Sequence, residues 1–215
     1  SMSILGTPLN FDATPTQSLT WTLETGATGV IIEVGHEQGN STRQIASLSL
    51  GSVSAARKGY KQHGSVTTFA YAEVWEILSD LGSIGANPTI TVTAASGGTS
   101  AYSGTIYCVD NIDTNTANWT EANDGKSTDT AMQLTLSTSV NSIVIGGAAC
   151  TVSGNSFTTT VGGSNVETAA SDRNIGVASR VVAFSTTASG SSVVVDCDNA
   201  DSSATRYQAL YAVGI

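Results

Sequence analysis

A succession of short apolar or alternating runs, each closed off by glycine, serine or asparagine, constrains this chain more than any other feature. Runs of that length at period two are strand signals, whereas an amphipathic helix needs a longer stretch at period 3.6. The clearest early runs are Val30-Ile31-Ile32-Glu33-Val34 and residues 71–78, 89–94 and 105–109. Residues 132–136, 142–145, 179–184, 193–197 and 208–213 follow. Thr89-Ile90-Thr91-Val92-Thr93 alternates strictly, as a half-buried strand does. Val193-Val194-Val195 is unbroken and predicts a strand covered on both faces or a crowded core. Residues 70–81 also fit a helix through Glu73, Glu76, Ile77, Leu78 and Leu81. Val74-Trp75 and the preceding Thr67-Thr68-Phe69 favour a strand instead. Asp124-Gly125, Gly97-Gly98, Gly146-Gly147, Gly162-Gly163 and Gly190-Ser191 read as turns. The predicted fold class is all-β, an antiparallel β-sandwich.

The runs also repeat. Val30-Ile31-Ile32 echoes Ile143-Val144-Ile145, and Leu48-Ser49-Leu50-Gly51 echoes Thr159-Thr160-Val161-Gly162. Glu73-Val74-Trp75-Glu76-Ile77 matches Ser179-Arg180-Val181-Val182-Ala183 in position. Thr105-Ile106-Tyr107-Cys108-Val109 matches Ala209-Leu210-Tyr211-Ala212-Val213. The order is the same in both series, which predicts two similar sets of strands whose apolar faces bury each other. Residues 1–18, with Pro8 and Pro15, read as an N-terminal arm or edge strand. Residues 19–215 read as a single sandwich with internal halves 19–115 and 116–215, because either half alone would expose long apolar faces; two separate domains with a boundary near Asn115 to Thr120 are the alternative.

Composition narrows the function. The net charge is −9, so a phosphate backbone is repelled and nucleic acid is an unfavoured partner. Only 12% of residues are charged, while Ser and Thr make up roughly a quarter of the chain. No run is long enough to span a membrane as a helix. Cys108, Cys150 and Cys197 lie in or beside apolar runs and lack CxxC spacing, which predicts buried thiols rather than a zinc site.

A buried strand, a Leu-x-Leu-Gly strand, Glu73-Val74-Trp75-Glu76-Ile77-Leu78, and an alternating Thr-Ile-Thr-Val-Thr strand follow one another. Ser103-Gly104-Thr105-Ile106-Tyr107-Cys108-Val109-Asp110-Asn111-Ile112 comes next, and the second half ends in Tyr207-Gln208-Ala209-Leu210-Tyr211-Ala212-Val213-Gly214-Ile215. From about Thr20 onward this resembles jelly-roll-type β-sandwich proteins of tailed-phage virions, such as capsid decoration, head-fibre and tail-associated proteins. The resemblance implies a jelly-roll-like fold and a non-enzymatic structural role on the virion surface. Its partners would be other virion proteins or further copies of itself. A secreted carbohydrate-binding module is the alternative, with host glycans as ligands, and a glycan-active enzyme is the third reading.

Candidate chemistry is sparse. Nucleophilic catalysis needs a base within reach of the nucleophile. His36 and His63 are the two histidines, no Gly-x-Ser-x-Gly elbow occurs, and His36-Glu37 reads as a loop after a strand. Glu73 and Glu76 could serve glycoside hydrolysis, but in a strand a spacing of three sends them to opposite faces. Asp196, Asp198 and Asp201, with Asn199, form an oxygen-rich stretch that could hold calcium, the one cofactor the sequence admits. Asp110, Asn111, Asp113 and Asn115 form a second such stretch; turn formation is the competing explanation for both. For a glycan, Trp119 among polar residues, Tyr60 and Tyr102 are the candidate stacking aromatics, while Trp75 reads as core. Residues 57–63, the one basic stretch, read as a solvated loop with the option of docking an acidic neighbour.

Overall fold

The computed structural model describes residues 2–95, 97, 101–127, 131–152, 156–162, 164–165, 173–175, 179–199 and 206–215. The first half runs β1 (Ile4–Ala13), β2 (Thr16–Ser18), β3 (Gly29–Gln38), β4 (Ser47–Leu50) and β5 (Val53–Ser54). It continues with β6 (Ala56–Ser65), β7 (Thr68–Ile77), β8 (Thr89–Thr93) and β9 (Tyr102–Val109). The second half runs β10 (Thr120–Ser127), β11 (Met132–Ser137), β12 (Ile143–Cys150), β13 (Phe157–Val161) and β14 (Ser164–Asn165). It ends with β15 (Arg173–Ile175), β16 (Ser179–Thr187), β17 (Ser192–Asn199) and β18 (Tyr207–Gly214). All the pairings among the described residues are antiparallel.

The first half forms one sheet ordered β1-β9-β3-β7-β6 and another ordered β2-β8-β4-β5. The second half repeats both, as β10-β18-β12-β16-β15 and β11-β17-β13-β14. Each strand of the first half thus has a counterpart nine strands later, in the strand order of a jelly roll. Where the sequence favours one sandwich over 19–215, the structure stacks two. Phe11, Ile32, Leu48, Trp75 and Ile90 fill the first sandwich. Leu134, Val144, Phe157, Phe184 and Leu210 fill the second. A third apolar layer lies between them, where the two five-stranded sheets pack face to face through Ile31, Val74, Tyr107, Ile145, Val181 and Tyr211. Residues 1–18 supply β1, the edge strand beside β9, and β2.

Strand patterns follow from this layering. β3, β7, β9, β12 and β18 lie in the two middle sheets and are covered on both faces, so they show almost unbroken burial. β8, β11 and β17 lie in the outer sheets and alternate. Val194 therefore points outward and is 37% exposed, against the expectation from its apolar run, because β17 has a neighbouring sheet on one side only. Residues 68–77 form a strand, so Glu73 enters the first sandwich while Glu76 points to the other face. Asp124-Gly125 and Gly146-Gly147 are not turns: they lie inside β10 and β12.

The middle sheets come together closely where side chains are missing. A Cβ on Gly35 would stand 2.4 Å from Cγ1 of Val181, across the interface between the halves. One on Gly59 would stand 2.1 Å from the Tyr211 hydroxyl. Glycine is required at such contacts by proximity, not by turn geometry. Tyr107 and Tyr211 hold equivalent places in the two halves, and burial raises both phenols above the usual tyrosine range. Glu33 adds to the effect on Tyr107 and Glu121 to that on Tyr211.

Two outcomes are expected. Gly35→Val forces the middle sheets apart or distorts Val181, and should lower stability by about 1–3 kcal/mol, read as a drop in the urea midpoint. The second concerns alkaline pH. The unfolded chain ionises its tyrosines near pH 10, while folded Tyr107 and Tyr211 stay neutral beyond that. Their contribution is fully present below about pH 10 and is lost as pH rises toward the folded values. Urea midpoints should fall above about pH 10, and the Tyr107→Phe, Tyr211→Phe double variant should fall less steeply.

Candidate functional site

Among the described residues, a connected set of buried polar side chains lies inside the first sandwich. Alternation along β3 sends His36 and Gln38 to the same face as Val30, Ile32 and Val34. β7 is its neighbour, and sends Tyr71, Glu73 and Trp75 to that face. His36 Nε2 lies 2.5 Å from Glu73 Oε2, and both residues are fully buried. Gln38 Nε2 lies 3.0 Å from His36 Nδ1, so the amide donates there and Nε2 carries the imidazole proton toward Glu73. Tyr71 stacks on the imidazole at 4.6 Å between ring centroids, and Tyr102 covers it at an angle. Both ring nitrogens are thus engaged. His36 is not on a loop: β3 continues through it to Gln38.

This cluster holds the connection between β3 and β4, which crosses from one sheet of the sandwich to the other. The Ile45 backbone N–H donates to Glu73 Oε2 at 3.0 Å, and Arg57 donates to the Ile45 carbonyl at 2.9 Å. The Tyr71 hydroxyl donates to the Asn40 carbonyl at 2.6 Å and accepts from the Arg43 N–H at 2.9 Å. Main-chain groups that no strand pairs are satisfied by side chains of β6 and β7. Glu73 also accepts from the Trp75 indole at 3.3 Å and lies 3.9 Å from Arg57, whose guanidinium sits over the Trp75 and Tyr60 rings.

Residues 57–63 form most of edge strand β6, not a loop. The register slips between Arg57 and Gly59, leaving Lys58 as the extra residue of a bulge. Arg57 consequently turns into the first sandwich, while Lys58 reaches Glu121 of β10 at 3.1 Å. The acidic neighbour that Lys58 meets is the second half of its own chain.

The glycan candidates separate. Trp119 is 5% exposed, belongs to the layer between the halves, and donates its indole N–H to the Asp113 carbonyl at 2.8 Å. Its polar sequence neighbours concealed this, because they lie on the connection between β9 and β10 while the indole closes over the layer. Tyr102 is buried in β9 rather than in a loop. Tyr60 is part-exposed on β6, more than 30 residues from either in sequence and engaged with Arg57. They do not form one stacking surface.

The calcium candidates lie on a strand. Asp196 and Asp198 share the outer face of β17; Gln133 donates to Asp196 at 2.6 Å, and Arg206 lies 3.9 Å from Asp198. Asp201 is outside the described residues. In the second stretch, Asp113 accepts from Asn118 and from the Asn115 N–H, and Asn115 accepts from the Ala117 N–H. These are turn-forming bonds that draw the carboxylates toward the chain itself. Among the described residues no cluster of His, Cys, Asp and Glu has the arrangement of a metal site.

The sequence reading passed over a groove of about 290 Å³ on the first half, beside β1. Its floor is Leu5, Leu9, Trp21, Ile106 and Cys108, and its rim is Thr7, Thr20, Thr22, Glu24 and Asn87. Pro8 within an otherwise strand-like segment was the available signal, since proline in an edge strand marks a bulge. A second groove, near Asp113, Ser139, Ser142 and Ile215, lies beside the connection between the halves. Comparison with protein-family models and with curated proteins found no match to this sequence.

Truncating Glu73 removes the acceptor for Ile45 and the partner of His36 together. Glu73→Ala should cost about 3–5 kcal/mol in urea unfolding. Glu73→Gln, which retains one carbonyl acceptor, should cost clearly less.

Proposed function

We propose that this chain is a non-enzymatic structural protein of a tailed-phage virion, set on the capsid or fibre surface. The observation that carries the reading is the outer face of the β2-β8-β4-β5 sheet. Ile90, Val92, Leu48, Leu50 and Val53 point inward from it, so the alternate residues point out. Thr16, Thr91, Ser49 and Ser54 stand opposite one another across all four strands. Ser18 and Thr89 form a second such pair, and Thr93 and Ser47 a third. The face is broad, uncharged and made of hydroxyls, which suits contact through shape and hydrogen bonding with a repeating neighbour.

The non-enzymatic part of the reading is supported by the buried state of His36 and Glu73, which hold the β3–β4 connection. The resemblance to jelly-roll virion proteins points the same way.

Antibody raised against the chain should label purified virions of the phage that encodes it in a regular pattern, seen by electron microscopy. A chain found free in the lysate, with virions unlabelled, would overturn the proposal. Replacing Thr91 and Ser49 with lysine should leave the fold intact and abolish incorporation, since two cations are then set into the contact face.

A further inference from the structure

The duplication supplies an internal control for what has been added to one half. β10 pairs with β18 in unbroken register from Thr120 to Ser127. Its counterpart β1 does not: Leu5 faces Cys108 and Leu9 faces Ile106, so Gly6, Thr7 and Pro8 bulge opposite a single residue of β9. The connections differ as well. Residues 19–28 follow β2, whereas only residues 138–142 follow the equivalent β11. Both departures line the same groove: the bulge supplies Leu5, Thr7 and Leu9, and the longer connection supplies Thr20, Trp21, Thr22 and Glu24.

The groove is held in shape. The Trp21 N–H donates to Asn87 Oδ1 at 3.1 Å, and the Asn87 N–H donates to the Trp21 carbonyl at 2.7 Å. Gly6 sits at φ 64°, and a Cβ there would stand 2.2 Å from Glu24 Oε1, so the glycine leaves room for the carboxylate over the bulge. Bulges that re-aim side chains and loops added to a rigid scaffold are where binding sites concentrate.

We propose that this groove binds a single pyranose ring of a neutral glycan, independently of where the protein is located. Its volume is near the small end for ligand sites and suits one ring. The floor is apolar, formed by half-buried Leu5 and Leu9 and by what remains accessible of Trp21, which is 9% exposed, and such a surface suits the C–H face of a sugar. The rim offers three hydroxyls, an amide and a carboxylate to the sugar hydroxyls. Among the described residues, Glu24 is the one charged residue in the lining, so phosphorylated or carboxylated ligands are disfavoured.

The test is an NMR titration of ¹⁵N-labelled protein with methyl α-glucopyranoside, methyl β-galactopyranoside and N-acetylglucosamine, with tetramethylammonium as a cationic control. At least one sugar should give saturable shifts at the Trp21 indole and the amides of Thr7, Thr20, Thr22 and Glu24, with Kd of about 1–10 mM. Glu24→Ala should weaken that binding about tenfold, and Thr7→Trp, which fills the groove, should abolish it. Unchanged resonances elsewhere show that both variants fold. Absence of saturable shifts with all three sugars would overturn the proposal, as would binding undiminished in both variants. Binding of tetramethylammonium alone would also overturn it.

Discussion

The burial of two five-stranded sheets against each other is the constraint on which this structure depends. It covers β3, β7, β9, β12 and β18 on both faces, and strands so covered tolerate few charges. Close approach at Gly35 and Gly59 lets the sheets meet, and Trp119 closes the layer at the connection between the halves. The contacts are reciprocal. β7 lies against β12 and β18, and β16 lies against β3 and β9, which are their counterparts. This is the pattern of a self-complementary interface, here between two halves of one chain.

Polar groups inside such a stack are held by specific partners. Glu73, Arg57 and Tyr71 satisfy the backbone of the β3–β4 connection, and His36 completes the set between Glu73 and Gln38. A pairing of histidine with glutamate invites a catalytic reading, but burial, stacking on Tyr71 and two occupied ring nitrogens give it a positioning task. The Lys58 bulge extends the same logic between halves, by sending one cation into the sandwich and the next to Glu121.

With so much of the chain committed to packing, function falls to the surfaces that packing leaves free. The outer hydroxyl face and the groove beside β1 are of different kinds. The first belongs to an outer sheet of the duplicated fold. The second arises where the first half departs from the duplication, which makes it the more specific feature.

The sequence by itself determined the all-β class, the duplication and the facing of outer strands such as β8 and β11, though not of β17, whose apolar run hid its exposed face. Thr89-Ile90-Thr91-Val92-Thr93 and Met132-Gln133-Leu134-Thr135-Leu136 have one wet face, so period two is written into their residues. It did not determine the facing of the middle strands. The echo of Val30-Ile31-Ile32 with Ile143-Val144-Ile145 found the right strands, but Val30 fills the first sandwich while Ile143 faces the layer between halves. A strand apolar on both sides carries no phase. Tertiary structure alone decided that His36 and Trp119 are buried and that Trp21 lines a groove. Their sequence neighbours are largely polar, and what covers each of them comes from strands and connections distant along the chain.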